Sequence, residues 1–204
     1  MRETTPQTAM PRQKRALETR AALLAAVERI VAAQGPDAVT TTRIAAETGV
    51  AVGTIYRYFS DRDALLLAAY DETVGRIVAE CHAALDALPR DAGPEQAARA
   101  LLGRYLEAAE AVPSHSGLLR AMRALRPVAA DQEANEDRVS SEIFAPFLAR
   151  FAPGANTSPA ALRLISVVIG TLVDLYLVTE NEADRSWLRG EIEAHVAFMV
   201  GRLG

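Results

Sequence analysis

Thr40-Thr41-Thr42-Arg43-Ile44-Ala45-Ala46-Glu47-Thr48-Gly49-Val50, followed after two residues by Gly53-Thr54-Ile55-Tyr56-Arg57-Tyr58-Phe59-Ser60-Asp61-Arg62-Asp63-Ala64-Leu65, governs how the rest of the chain is read. Thr40 and Thr41 can cap a short helix running to Thr48, and Gly49 suits a tight turn. A second short helix is predicted over about 51–59, where Ile55 and Phe59 lie four apart and share an inward face. Val50, Ile44 and Ala45 supply the apolar support. The other side then presents Gly53, Thr54 and Arg57, flanked by Tyr56.

Glycine in a helix costs about 1 kcal/mol against alanine, and close approach of another surface to the backbone would explain it. Small, hydroxyl, aromatic and arginine side chains projecting together suit the major groove of DNA. Arginine can hold guanine in a bidentate way, and threonine can reach bases or phosphates. This is the logic of a helix-turn-helix, the second helix reading. Short helices joined by glycine also occur in all-α domains that bind nothing, and an exposed arginine also serves as a solvated charge.

Charge is divided in a way that fits a nucleic-acid face. The 204 residues carry a net charge of −4, yet residues 1–62 hold 9 Lys+Arg against 6 Asp+Glu, which leaves the acidic excess in the body. Lys14 is the only lysine. Half the residues are hydrophobic and only 5% aromatic, so a sizeable core is available and Ala and Leu favour helices over strands.

Outward from the opening stretch, punctuation marks helices almost everywhere. Residues 1–11 are expected to be disordered. Leu17, Leu24, Val27, Ile30 and Val31 fall at helical spacing over about 13–34, and Gly35-Pro36 stops that helix. Ser60-Asp61-Arg62-Asp63 fits a capping signature that opens a long helix towards Leu88. Pro94 starts the next, to about Val112; Pro113-Ser114 restarts the pattern and Pro127 interrupts it. Val139, Ile143, Phe147 and Phe151 recur within an amphipathic stretch over 131–151 that Pro146 is expected to bend. Ser158-Pro159 opens an apolar helix to about Val178, and a final helix covers about 184–203. The expectation is an all-α fold of about nine helices. Its parts are a disordered extension over 1–11, a helix-turn-helix domain over 12–62, and an effector-binding and dimerisation domain over 63–204.

The opening stretch resembles the DNA-binding domain of TetR-family transcriptional regulators, with glycine, aromatic and helix-start positions in register over about residues 13–66. Beyond that only the length and the nine-helix layout agree. The resemblance implies a phosphate contact for Thr41, a base-reading position for Thr42, and a recognition helix carrying Val52, Gly53, Thr54, Arg57 and Tyr58. Arg57 is the best candidate for base readout. Tyr56 matches a tyrosine near the DNA backbone, and Arg62 stands where the family has a phosphate-facing lysine. Lys14 and Arg15 could add phosphate contacts from the first helix.

The resemblance further implies that the remaining helices bind an effector and dimerise. The helix over 158–178 is apolar nearly all round, so it must be covered on several sides. Its Ser166 and Gly170 would permit close packing in a four-helix bundle with the last helix and a second copy. A pocket could use Tyr105, Leu118, Met122, Phe144, Phe147, Phe151 and Tyr176, with His82, His115 and Asp174 as polar anchors; each also reads as core or surface.

Other classes find little support. No P-loop, G-x-S-x-G or H-E-x-x-H motif is present, so neither an enzyme, a cofactor nor a metal is expected. His82 and Asp86 alone do not make a metal site. Cys81 is a single cysteine, so no disulfide forms within the chain. A polar start and an apolar run, 164–178, shorter than the roughly 20 residues of a membrane span suggest a cytoplasmic protein without membrane attachment. A helical interaction bundle without DNA binding remains a competing reading, against which Tyr56, Arg57 and Arg62 count. The expected function is a homodimeric repressor of double-stranded DNA, paired through its last two helices, reading a palindromic operator and released by a small-molecule effector not identifiable from sequence.

Overall fold

The computed structural model describes residues 9–126, 139–155 and 158–202. Among them are nine α-helices: α1 Ala9–Gln34, α2 Thr41–Thr48, α3 Val52–Ile55, α4 Arg62–Ala87, α5 Pro94–Glu110, α6 His115–Leu125, α7 Ala145–Phe151, α8 Pro159–Val178 and α9 Glu182–Gly201. A 3-10 turn at Pro36–Ala38 follows α1 and a π-helical turn at Ser140–Phe144 precedes α7; no strand occurs among the described residues. The all-α expectation agrees with this architecture.

Local chemistry sets the boundaries. Helix α1 already includes 9–11, expected to be irregular, because Pro11 falls in a first turn that needs no amide donor; the rest of the expected disordered extension, 1–8, lies outside the described residues. Gly35 ends α1 at φ 81° and Gly49 ends α2 at φ 70°, left-handed values that a side chain would resist. Thr40 caps α2, its Oγ1 accepting from the Arg43 amide at 3.2 Å, so Thr41 is left as the first helical residue. At α4 the cap is Asp61 rather than Ser60. Asp61 accepts from the Ala64 amide at 2.7 Å and from the Ser60 hydroxyl at 2.9 Å, bonds that hold its carboxyl below the ordinary carboxylate range. Pro146 cannot donate to the carbonyl four residues back, and the chain passes it with a π turn immediately before α7 rather than a simple bend.

One apolar cluster runs from the N-terminal helices into the body. Val27, Ile44, Ile55 and Leu65 occupy one end, and Leu106, Leu118, Phe147 and Ile192 lie deeper. Helix α4 is common to both parts, packing on α1, where its Glu72 and Arg76 meet Arg20 and Glu28, and on α5 and α6. Its far end is closed by α7, where Arg150 donates to the Leu85 carbonyl at 2.7 Å and to that of Leu88. Helix α6 bridges the same parts. A Cβ at Gly117 would lie 2.6 Å from Val31 Cγ1 of α1 and 3.7 Å from Pro36 Cδ, so only glycine permits this approach.

Helix α8 departs from the sequence reading in one respect. With 20 residues and a mean hydropathy of 2.0 it is long and apolar enough to cross a membrane, because the turns before the 164–178 run are themselves mostly apolar. Charged residues, Arg163 and Asp174, interrupt it. Leu164 and Leu175 of α8 and Trp187 and Phe198 of α9 are exposed.

Overpacking a tight contact costs about 1–3 kcal/mol. Gly117→Ala should therefore lower the thermal melting temperature, and adding Val31→Ala should recover part of the loss. Equal melting of Gly117→Ala and wild type would show that the contact yields freely.

Candidate functional site

Two places carry the chemistry: the outward face of α2 and α3, and a cavity in the body. Helix α3 is shorter than the 51–59 expected. It covers four residues, after which the chain tightens, with Arg57 N donating to Thr54 O at 3.1 Å and Tyr58 N to Ile55 O at 2.9 Å. The inward face is as expected, with Ile44, Ile55 and Phe59 buried. Thr42, Gly53, Tyr56 and Arg57 are exposed, while Thr41, Val52, Thr54 and Tyr58 are half-buried, Tyr58 lying against the core.

Partners separate the cations of this domain. Arg20 pairs with Glu72 at 3.1 Å, Arg29 with Glu47 at 3.5 Å, and Lys14 with Glu18 at 3.9 Å. Arg43 donates to Gln34 at 2.7 Å. Arg15 and Arg57 are exposed and their side chains meet no hydrogen-bonding or acidic partner among the described residues. A Cβ at Gly53 would meet nothing within 4 Å, so no packing inside the protomer requires glycine there.

Arg62, expected to face a phosphate, is turned towards the protein instead. Its Nε donates to Val39 O at 2.9 Å, its Nη2 to Pro36 O at 2.7 Å and its Nη1 to Asp63 at 3.1 Å. These bonds tie the start of α4 to the link between α1 and α2. Pro36 O also accepts from the Val39 amide at 3.1 Å, so Arg62 adds to the bonds of the 3-10 turn while taking up the Val39 carbonyl beyond it.

A cavity of about 320 Å³, partly open to solvent, lies between α4, α5, α6, α8 and α9 and the π turn with α7. Five of the residues expected in a pocket line it: Tyr105, Met122, Phe144, Phe147 and Asp174. Five do not. Leu118 is fully buried in the core, and Phe151 packs against Phe147 and beneath Arg150. His82 is on the surface, 4.0 Å from Asp86. Tyr176 and His115 face a separate polar cleft, where Tyr176 donates to Glu110 and Arg185 holds the same carboxylate at 2.6 Å.

Sequence reasoning missed Tyr70, Cys81, Arg123, Arg126, Ser166 and Gly170, which also line the cavity. Ser166 and Gly170 were expected to serve helix packing; they form its wall along one flank of α8. Nothing local distinguishes Arg123 and Arg126 from solvated helix cations until α6 is set against α8 and α4. There Arg123 donates to Asp174 at 3.0 Å and Arg126 to both Asp71 oxygens at 3.1 Å. Burial pushes the Cys81 thiol up to about 12, so it stays protonated and poorly nucleophilic.

The comparisons with known proteins divide along the same line. Residues 23–69 match the family model for bacterial regulatory proteins of the tetR family. The match spans the helix-turn-helix and parts of the helices on either side of it. Over its length it has the fold of TetR-family transcriptional regulators. One from Streptomyces coelicolor aligns with a TM-score of 0.68 at 18% identity, covering 91% of this chain and 99% of that one. The TetR-family repressor AlkX from a Dietzia strain, implicated in n-alkane biodegradation, gives 0.61 at 18%, covering 88% and 94%. FadR from Bacillus subtilis, in complex with stearoyl-CoA, gives 0.63 at 16%, covering 88% and 97%. No curated protein matches the chain.

His115 links the two body sites. Its ring lies parallel to that of Tyr70, centroids 6.2 Å apart, and burial pushes the imidazole down to about 4 from the ordinary 6.5. The depressed value means stability fully present above pH 6.5 and lost as pH falls towards 4. Between pH 7 and 4 the wild type should lose about 3 kcal/mol more than His115→Phe, by urea melts; parallel losses would refute the assignment. Arg62→Ala should cost about 2 kcal/mol of stability and leave the salt dependence of DNA binding unchanged; a flatter salt slope at unchanged stability would return Arg62 to the phosphate contacts.

Proposed function

We propose that the protein is a homodimeric repressor that reads a palindromic operator and is released by a small molecule held in the body cavity. The observation that carries the reading is the face around α3. Gly53 has open space where a side chain would stand, next to Arg57, which has no partner among the described residues, and to exposed Tyr56 and Thr42. A glycine that no internal contact requires, beside an arginine without an acid, suits close approach to DNA.

On this reading Arg57 reads a base, with Thr42 and Thr54 beside it and Val52 and Gly53 allowing the approach. Thr41, Tyr56, Tyr58, Lys14 and Arg15 serve the phosphates, and Arg62 holds the reader in place. The exposed Leu164, Leu175, Trp187 and Phe198 support pairing of α8 and α9 with a second copy. Pairing would place two readers about 34 Å apart, one helical turn of DNA.

The cavity supports the effector half. Its volume falls in the range of small-molecule sites and its lining is mostly aliphatic and aromatic. The stearoyl-CoA bound by FadR and the n-alkane setting of AlkX are consistent with an apolar effector for this chain too. Met122 and Arg123 line the cavity from α6, whose Gly117 lies against Val31 of the DNA-binding domain. Tyr70 and Val74 line it from α4, which begins at Arg62. A ligand that shifts either helix moves the reader, and ligand and DNA then weaken each other by equal factors.

Selection from random duplexes and from the source genome at near-physiological salt tests the reading, and one enriched palindrome is expected. Arg57→Ala should then lose about 1–3 kcal/mol at one base position and little on unrelated DNA. An equal loss on every sequence would make Arg57 a phosphate contact, and no enrichment by a folded dimer would remove the operator-reading role.

A further inference from the structure

The polar groups of the body cavity are arranged along a line. On α8, Ser166, Gly170 and Asp174 follow at intervals of four and all border the cavity. Ser166 and Asp174 are eight residues apart, roughly 12 Å along the helix axis. Ser166 Oγ is buried and has no hydrogen-bond partner among the described residues. Buried hydroxyls are nearly always satisfied, so this one calls for an oxygen or a water in the cavity. Between the two ends a Cβ at Gly170 would meet nothing within 4 Å, leaving an open floor.

The other end is rich in donors. Arg123 in the last turn of α6 and Arg126 at its C-cap both border the cavity. Of the five N–H groups of Arg123, one donates to Asp174 at 3.0 Å, and the guanidinium has no other partner among the described residues. Asp174 is thus already held, and a cationic ligand would meet two guanidinium groups. A planar carboxylate suits the arginine fork. A plain hydrocarbon would leave the buried Ser166 hydroxyl unanswered and would offer nothing to the two guanidinium groups.

We infer that the cavity takes an elongated monocarboxylate of medium chain length, its acid at Arg123 and Arg126, its chain over Gly170, and a second oxygen at Ser166. The span between the ends is that of an extended ω-hydroxydecanoate. This rests on the effector reading of the cavity and names the chemistry that reading leaves open.

The test is calorimetric titration of the full-length protein with ω-hydroxydecanoate, decanoate and decanol. Decanoate should bind about tenfold or more tightly than decanol, and ω-hydroxydecanoate more tightly still. Arg123→Gln should abolish the preference for acid over alcohol, with Arg123→Lys keeping part of it. Ser166→Ala should abolish only the preference for the hydroxyl, and Gly170→Leu should weaken all three ligands while the thermal melt stays cooperative. Equal affinity for decanoate and decanol, an acid preference that survives Arg123→Gln, or no binding of any probe would overturn the inference. Occupancy of the selected operator, measured in parallel, separates the two readings. Binding with the expected preferences but without loss of DNA refutes the effector role and leaves the ligand class standing; release of DNA by decanol as readily as by the acids does the reverse.

Discussion

The close approach of α6 to α1 is the constraint on which the rest of the molecule depends. Gly117 lies where any side chain would collide with Val31, so α6 and α1 are held as tightly as two helices can be at that point. Close-packed interiors transmit displacement because they have no slack to absorb it. The same joint is fixed from the other side by Arg62, whose guanidinium holds the carbonyls of Pro36 and Val39 between α1 and α2. Two helices of the body, α4 and α6, thus end in the domain that carries Arg57.

The polar economy of the two sites differs in kind. On the reader, most cations are matched with acids, which leaves Arg15 and Arg57 without a partner among the described residues. An unpaired surface arginine costs nothing in water and keeps its donors for another surface. At the cavity Arg123 and Arg126 are held by Asp174 and Asp71, pairs that keep part of their surface in water. Pairing there still leaves most Arg123 donors unused, and the buried Ser166 hydroxyl has no partner among the described residues. The reader face thus offers its free donors on the surface, whereas the cavity offers a partly exposed guanidinium at one end and a buried hydroxyl at the other.

Parts of this arrangement are legible residue by residue. Gly35 and Gly49 were readable as helix ends because positive φ is a property of the residue itself. Pro94 and Pro159 mark helix starts for an equally local reason. The cap at α4 was placed one residue early, since Ser60 and Asp61 can each accept the same kind of amide and only the backbone path chooses between them. Helix α3 was expected to reach Phe59, because apolar spacing does not distinguish an α-turn from the tighter turn that follows Ile55. Half of the pocket residues were misplaced for a related reason: Leu118 and Phe151 have the composition of cavity wall and core alike.

The sequence by itself determined the helical class, most of the punctuation, the inward face of the helix-turn-helix and the exposure of Arg57. Each follows from interactions within a few residues, where chain chemistry leaves few alternatives. Tertiary structure alone decided that Arg62 turns inward, that Arg123 and Ser166 face one cavity, and that Gly117 meets Val31. Those outcomes bring together groups between about 20 and 90 positions apart in the chain. A side chain's local pattern sets which helix it belongs to, but its partner is chosen by how the helices pack.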